Sequence, residues 1–228
     1  TKNPESRIQT RAHKRSIGSL VWILDSRLWI LMRDVSIIGI GQTPVGEHWD
    51  RSLRQLSVQA LQAAMRDAQL EQIDGLYVGN MLSGELTRQE HIGALIGDFA
   101  GLRGIEAMKI EAACGSAGAA FRVGYAMVAG GLQDIVAVMG VEKMTDQQGS
   151  DVTSALAMAA DAEYEALHGL SFVSINALLM RRYMHEHGYK KEDFAQFAIN
   201  AHANAVNNPN AMFRSAISAK QFAEAKAI

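Results

Sequence analysis

The chain has 228 residues, of which 48% are hydrophobic and 20% are charged, enough to bury the core of one or two domains. Its formal net charge of −2 at pH 7 gives no reason to expect a nucleic-acid or membrane-surface partner. Its single cysteine, Cys114, excludes an internal disulfide and any CxxC metal or redox site.

Residues 1–33 differ in composition from the rest of the chain. They contain seven Lys or Arg and two acidic residues, whereas residues 34–228 contain 15 basic and 22 acidic residues. Such a leader is typical of organelle transit peptides, although its apolar runs are shorter than the roughly 20 residues that span a bilayer. We favour Met32 as the natural start, with residues 1–31 read through from upstream, and we expect a cytoplasmic protein. A transit peptide is the alternative.

The first predicted elements alternate between strand and helix. Residues 35–41 (VSIIGIG) are an apolar, β-branched run that ends in glycines, which predicts a buried strand. Residues 53–70 place apolar side chains on one helical face, with Ser52 as the N-cap. Residues 75–79 (GLYVG) predict a second strand, and residues 91–102 predict a second helix.

The alternation continues through the middle of the chain. Residues 108–112 predict a third strand that leads directly into Cys114. Residues 115–131 predict a helix that is apolar on most sides and therefore buried, and residues 134–141 (DIVAVMGV) predict a fourth strand. Strands that alternate with helices favour a mostly parallel sheet with helices on both faces.

After residue 144 the pattern changes to helices. Residues 145–169 are polar and rich in alanine, with no clear strand. Helices are predicted at 172–187, ended by Gly188, and at 192–207, ended by Pro209. Residues 217–228 begin a further helical pattern. The sequence thus predicts an α/β core followed by a helical insertion.

Cys114 lies in the segment 111–120 (EAACGSAGAA), where a predicted strand becomes a predicted helix. Helix N-termini present unpaired N–H groups and a partial positive charge, which favour a thiolate over a thiol. A thiolate is the nucleophile that thioester exchange requires, and small neighbours leave room for a substrate. Alternatively, the cysteine is an ordinary small core residue whose neighbours allow close packing. The position at the junction favours the nucleophile.

Several segments together resemble one enzyme family. EAACGSAGAA, with GVEKM at 140–144 after the next strand, is similar to the nucleophile segment of thiolases, notably the sterol-carrier-protein type and its archaeal and bacterial acetyl-CoA acetyltransferase relatives. VSIIGIGQTPVGEHW at 35–49 also resembles a segment of those proteins, as do GLSFVSINALLMRRYMHEHG and NAHANAVNNPNAMFR later in the chain. The resemblance runs from Met32 to the end.

The resemblance implies an α/β fold, the thiolase-like layered sandwich, of which this chain would hold the first half with a helical loop-domain insertion. Residues 34–144 would be the N-terminal α/β half and residues 145–216 the loop domain. Residues 217–228 would be a truncated end, and residues 1–33 a leader outside the fold.

The resemblance also implies the chemistry. In thiolases a cysteine takes the acyl group of an acyl-CoA, and a second acyl-CoA attacks as its carbanion to give 3-ketoacyl-CoA, or the reverse. The family's activating histidine, in a Gly-His-Pro segment, and its second catalytic cysteine come from the second half, and this sequence contains neither. Cys114 is the only catalytic residue carried over, so the chain alone is expected to be inactive. We expect an acyl-CoA substrate, no cofactor or metal, and a dimer or tetramer for the complete protein.

His168 and Arg214 are candidate substrate-binding residues. His168 falls near the start of the segment that matches the family's loop domain, which holds the pantetheine and nucleotide of CoA. Arg214 would meet a CoA phosphate. The alternative is that His168 is a solvated loop residue and Arg214 a surface charge.

Other motifs have structural explanations. Residues 39–41 imitate a dinucleotide-binding fingerprint, but no helix opens directly after them. His185 and His187 are two residues apart on a helix and do not face one another, so no metal site is predicted. Ser116 is expected to cap the helix rather than attack a substrate.

Two other functions stay open on the sequence. A ketoacyl synthase-like enzyme acting on carrier-bound chains shares the architecture, although its nucleophile motif usually has serines after the cysteine, whereas this one reads Gly-Ser-Ala-Gly. A non-catalytic or degenerate thiolase-like subunit that binds acyl-CoA is the third possibility, motivated by the absent second half.

Overall fold

The computed structural model describes residues 33–226, so nearly all of the predicted leader lies outside the described residues. A three-stranded parallel sheet forms the α/β part, with β1 (Gly75–Gly79), β2 (Glu106–Ile110) and β3 (Val136–Gly140) in the spatial order β2-β1-β3. Tyr77 of β1 is paired with Met108 of β2 and Val138 of β3. The prediction of a parallel sheet is confirmed.

Helices make up most of the remaining regular structure between residues 33 and 226. In chain order they are α1 (Leu53–Asp67), α2 (Ser83–Leu86), α3 (Ile92–Phe99), α4 (Ser116–Ala129), α5 (Gly149–Ala157), α6 (Phe172–His187), α7 (Ala195–Ala205) and α8 (Ala219–Ala223). Short 3-10 turns occupy Ala113–Gly115, Ala166–His168 and Lys191–Phe194. None of the helices in this described range is both long and apolar enough to cross a membrane.

Helices cover both faces of the sheet, as predicted. Side chains alternate across a strand, so Leu76 and Val78 of β1 face one side and Tyr77 faces the other. Leu76 and Val78 are fully buried in a core cluster with residues of α1 and α3. On the side of Tyr77 lies α4, whose Gly124 comes so close that an added Cβ would lie 2.5 Å from a Val138 methyl group.

The prediction that α4 is buried on most sides is wrong. Only small residues of this helix are buried, and they are Ser116, Ala120, Gly124 and Ala129. Phe121 and Tyr125 are 51% and 45% exposed. The apolar composition of α4 predicts burial, but in the described part of the chain only the face of α4 toward the sheet is covered.

The predicted first strand at 35–41 is also wrong, since these residues belong to no strand of the described structure. One side of the segment is covered, because an added Cβ at Gly39 would lie 2.6 Å from the Ala64 carbonyl oxygen of α1. Ile37 and Ile40, in contrast, are 72% and 74% exposed. The β-branched, apolar composition of this run favours burial in a sheet. Within residues 33–226, however, no strand pairs with the run, so it does not form a strand there.

The longer segment 33–46, which contains this run, follows the edge of β3 that is not paired with β1. At one end, Arg33 forms an ion pair with Asp134, two residues before β3. At the other end, residues 43–46 share a cavity of about 190 Å³ with residues 139–142 at the end of β3. The segment therefore runs in the same direction as β3, without pairing to it.

The helical region largely follows the prediction. α6 has the predicted bounds, with Ser171 as its N-cap and Gly188 in a left-handed conformation at its end. α7 begins at Ala195, three residues later than predicted, because Lys191–Phe194 forms a 3-10 turn first. α8 confirms the helical pattern predicted after residue 217. The last two residues of the sequence, 227 and 228, lie outside the described range.

Asp74, immediately before β1, ties the start of β1 to the start of β3. Its Oδ2 accepts hydrogen bonds from the N–H groups of Asp134 and Ile135, both at 2.9 Å. Hydrogen bonds from the Ile135 N–H, which has the larger effect, and from the Asp134 N–H hold the pKa of the Asp74 carboxyl below its ordinary value of 3.8. A carboxyl with a lowered folded pKa contributes stability above its unfolded pKa, and that stability is lost as the pH falls through the folded pKa.

We expect Asp74→Asn to lower the free energy of unfolding at neutral pH, because the amide loses the charge that these N–H groups stabilise. The difference from wild type should shrink at pH values below 3.8, as the wild-type carboxyl becomes protonated. Thermal unfolding of wild type and Asp74→Asn at a series of acidic pH values measures this difference in stability. The control is Asp98→Asn, which removes only an exposed ion pair with Arg103 and should change little at any pH. A gap for Asp74→Asn that is independent of pH would contradict this account.

Candidate active site

The candidate site lies at the carboxyl edge of the sheet. Because the three strands are parallel, the segments that follow them begin at the same edge. Cys114 follows β2 there, in the 3-10 turn Ala113–Gly115 that leads into α4. Cys114 is exposed, so its thiol is open to a ligand rather than sealed in the core.

A sharp backbone turn presents Cys114. The preceding residue, Ala113, has φ +49°, a left-handed conformation that L side chains rarely adopt. The Glu111 carboxylate accepts the Ala113 N–H within this turn. The Ser116 hydroxyl accepts the Ala112 N–H at 2.9 Å and donates to the Ala113 carbonyl oxygen at 2.6 Å. Hydrogen bonds from both sides of Cys114 therefore hold the turn.

The predicted capping role of Ser116 is wrong. Gly115 is the N-cap of α4, and no side chain caps this end. Ser116 already has helical backbone angles, φ −54° and ψ −42°. A helical Cα–Cβ bond tilts toward the helix N-terminus, so the hydroxyl reaches back to the turn before Cys114. Sequence reasoning missed this role, for which the only signal was a small hydroxyl residue two positions after the cysteine.

Two strand glycines allow the first turn of α4 to lie directly on the sheet edge. An added Cβ at Gly79, the last residue of β1, would lie 2.4 Å from the Ala117 nitrogen. An added Cβ at Gly140, the last residue of β3, would lie 2.7 Å from the Ala117 Cβ. No side chain fits at either position. The sheet therefore fixes where α4 begins and, two residues earlier, where Cys114 lies.

The space beside Cys114 is open on the helix side. An added Cβ at Gly115 or Gly118 would meet no atom within 4 Å. Because no N-cap side chain binds the first-turn N–H groups, the positive end of the α4 dipole stays available beside the cysteine. The arrangement offers room for a substrate and a favourable place for developing negative charge.

Glu142 joins two of the segments that surround this edge. Its Oε1 accepts the N–H groups of Met81 at 2.6 Å and Leu82 at 3.1 Å, which links the segment after β3 to the segment after β1. The Asn80 side-chain amide adds a bond to the Val141 carbonyl oxygen at 2.8 Å. Asn80 is 1% exposed, so this connection is internal. The sequence placed Glu142 in a motif without indicating this task.

The structure does not bring the other two candidate residues to Cys114 through any hydrogen bond or ion pair in its described part. His168 ends the 3-10 turn Ala166–His168 and is exposed. Arg214 is exposed and donates to the Val206 carbonyl oxygen at 3.4 Å. Both side chains are accessible, and their roles in substrate binding stay predictions.

Histidines do not assemble a metal centre in the described residues, where no group of three or more His, Cys, Asp or Glu is placed to hold an ion. His185 and His187 lie in the last turn of α6, where His187 packs against the Tyr183 ring at 4.5 Å between centroids. Nδ1 of His202 lies 2.9 Å from the Ser215 carbonyl oxygen. His187 and His202 thus have structural neighbours.

Comparison with known proteins connects this arrangement to one family. The family model described as "Thiolase, N-terminal domain" matches residues 35–227. The chain is 46% identical over 192 residues to an acetyl-CoA acetyltransferase of Methanothermobacter thermautotrophicus, covering 83% of this chain and 50% of that protein. It is 46% identical over 184 residues to an acetyl-CoA acetyltransferase of Methanocaldococcus jannaschii, covering 80% of this chain and 46% of that protein. The chain thus spans about half the length of these relatives.

The fold has a counterpart among solved structures. An acetyl-CoA acetyltransferase from Syntrophomonas wolfei superposes with a TM-score of 0.60 over 85% of this chain and 58% of that one, at 17% sequence identity. At this identity the likeness supports the thiolase-like α/β fold and nothing finer. The match to the N-terminal domain over most of the sequence shows that the chain belongs to the thiolase family.

Proposed function

We propose that Cys114 is the acyl-accepting nucleophile of a thiolase-type acyl-CoA acyltransferase, which forms or cleaves 3-ketoacyl-CoA through an acyl-cysteine. The observation that carries the proposal is the exposed thiol on a braced turn at the start of α4, in a chain of the thiolase family. The relatives that are 46% identical are named acetyl-CoA acetyltransferases, so acetyl-CoA is the proposed acyl donor.

In the first step the Cys114 thiolate attacks the carbonyl carbon of the thioester. A new carbon–sulfur bond forms, the bond to the CoA sulfur breaks, and CoA leaves as a thiolate that takes up a proton. In the second step the carbanion of another acyl-CoA attacks the acyl-cysteine, and the Cys114 thiolate leaves. Residues 33–226 supply the nucleophile and the helix terminus beside it, and this second step needs a base from elsewhere in the complete enzyme.

The proposal extends to the residues that bind CoA and to the oligomeric state of the complete enzyme. His168 and Arg214 are exposed and are proposed to contact CoA, Arg214 through a phosphate. Thioester exchange on a thiol requires no metal or bound cofactor, so none is proposed. The complete enzyme is proposed to be a homodimer or tetramer. A cytoplasmic location agrees with a lone thiol that must stay reduced.

Acetylation of Cys114 by acetyl-CoA in the folded chain is the first half-reaction alone, and it tests the proposal without the complete catalytic cycle, of which this chain by itself is expected to be incapable. We expect one acetyl group, found by peptide mass mapping on Cys114, to form faster in the folded chain than in the same chain unfolded by urea. The unfolded chain carries the same thiol without the turn and the helix, so it reports intrinsic reactivity. Cys114→Ala should abolish the modification. Equal rates in the folded and unfolded chain would show that the fold does not activate Cys114.

The two alternative functions give different outcomes in the same assay. A ketoacyl synthase-like enzyme would take acetyl groups faster from an acyl carrier protein than from CoA. A non-catalytic subunit would bind acyl-CoA, measured by calorimetry, without acetylation of Cys114. Either result would replace the thiolase-type acyl transfer proposed here.

A further inference from the structure

We propose that Ser116 is a positioning residue for the acyl transfer, which sets the orientation of Cys114 without touching the substrate. The inference rests on the proposed function of Cys114 and goes beyond it, because it assigns a task to a residue with no direct part in the chemistry.

The Ser116 side chain is buried and hydrogen-bonded to the turn before Cys114. The residue is 4% exposed, and its hydroxyl uses both of its hydrogen-bonding capacities on the two residues before Cys114. It accepts the Ala112 N–H at 2.9 Å and donates to the Ala113 carbonyl oxygen at 2.6 Å. A hydroxyl can accept and donate at once, so alanine at this position would lose both bonds. The Ala112 N–H would lose the partner it has here, whereas the Ala113 carbonyl oxygen would keep the backbone N–H of residue 116.

The turn before Cys114 has an unfavourable backbone conformation that other groups must stabilise. Ala113 has φ +49°, a backbone conformation that is unfavourable for a non-glycine residue relative to a right-handed one. The Ser116 bonds are made to the peptide group before Ala112 and to the peptide group after Ala113, so they span both residues of the turn and stabilise its conformation. The Glu111 carboxylate adds one bond, to the Ala113 N–H.

Ser116 belongs to a helix whose start is fixed by close contact with the sheet. It is the first residue of α4, and the next residue, Ala117, lies against the backbones of Gly79 and Gly140. The start of α4 is fixed by these contacts, and the Ser116 hydroxyl connects it to the turn that contains Ala113. Without this connection, Ala113 could leave its left-handed conformation. Cys114 lies between the two, and its orientation follows from both.

The test is the rate of Cys114 acetylation at saturating acetyl-CoA. We expect Ser116→Ala to lower this rate about 10- to 100-fold, the scale of a small misplacement of a reacting group, while the acetyl-CoA concentration for half-maximal rate stays unchanged. Adding Ala113→Gly should restore much of the rate, because glycine adopts a positive φ without the cost that the serine offsets. A purely structural role would not produce this rescue.

Ser57→Ala is the matched control. Ser57 is also a buried serine, 0% exposed, and its hydroxyl donates to the Leu53 carbonyl oxygen at 2.7 Å within α1. Its loss should leave the acetylation rate at the wild-type value and change thermal stability little, because alanine is the better helix former. A Ser116→Ala variant that is acetylated like the Ser57→Ala control would overturn the inference while the proposed function stands.

A second readout keeps the inference testable if acetyl-CoA is not the donor. Alkylation of Cys114 by iodoacetamide requires the thiol but no recognition of CoA. If the folded wild type is acetylated no faster than the unfolded chain, the proposed function fails. In that case an altered alkylation rate in Ser116→Ala, reversed by Ala113→Gly, would still support positioning, and an unchanged rate would overturn it.

Discussion

Replacing Gly79 by alanine is expected to destabilise the protein by about 1–3 kcal/mol and to disable Cys114 in the same step. The added Cβ would lie 2.4 Å from the Ala117 nitrogen and 2.5 Å from its Cα. Both atoms belong to backbone, which cannot rotate away as a flexible side chain would. Either β1 or the first turn of α4 must shift, and Cys114 would shift with the helix. Urea unfolding and the acetylation assay measure the two effects.

Gly118→Ala is the matched control for this substitution. An added Cβ at Gly118 would meet no atom within 4 Å, although the residue lies in α4 close to Cys114. Alanine in a helix interior is more favourable than glycine by roughly 1 kcal/mol, so this variant should be as stable as wild type or more so. If Gly79→Ala proved as stable as Gly118→Ala, the sheet would not fix the start of α4 as the contacts indicate.

Leu76→Ala is expected to cost about 2–5 kcal/mol, the largest loss of stability among these variants. Leu76 is 0% exposed in the central strand and belongs to the core cluster that joins β1 to α1 and α3. Both neighbouring strands pair with its backbone, at Ala107 and Ala137, which limits collapse around a cavity. The midpoint of urea unfolding reports the change.

An exposed leucine provides the comparison for the core substitution. Leu132 is 72% exposed, so Leu132→Ala should change the free energy of unfolding by less than about 0.5 kcal/mol. The two variants delete the same atoms and differ in burial alone. A similar loss in both would mean that β1 is not the centre of the core.

The sequence predicted well where one residue pattern decides the structure. β1 has the predicted bounds because Gly75 and Gly79 enclose an apolar run that is buried on both faces. α6 has the predicted bounds because Ser171 and Gly188 supply both ends. β2 lies two residues earlier than predicted, since an edge strand tolerates Glu106 within it and the apolar criterion passes over that residue.

Other features depend on contacts that a linear pattern does not contain. α2 and α5 were not predicted, and each has only a short apolar face, centred on Leu86 and Ala155 in a small separate cluster. The sequence around Cys114 predicts a nucleophile, which stays a prediction, whereas for Ser116, whose hydroxyl holds the turn, it predicts helix capping. The Ser116 hydroxyl can reach the Ala113 carbonyl oxygen because Ala113 has a left-handed conformation. Nothing in the sequence marks an alanine as left-handed.

The unpaired flank of β3 has a consequence for the behaviour of the chain in solution. Backbone N–H and C=O groups of β3 that point away from β1 have no strand partner in the described structure, and the segment 33–46 beside them exposes Ile37, Ile38 and Ile40. Such a flank is a template on which any extended, apolar peptide can add itself. The chain should therefore self-associate as its concentration rises, and mixing it with a polypeptide that fills this flank should suppress that tendency.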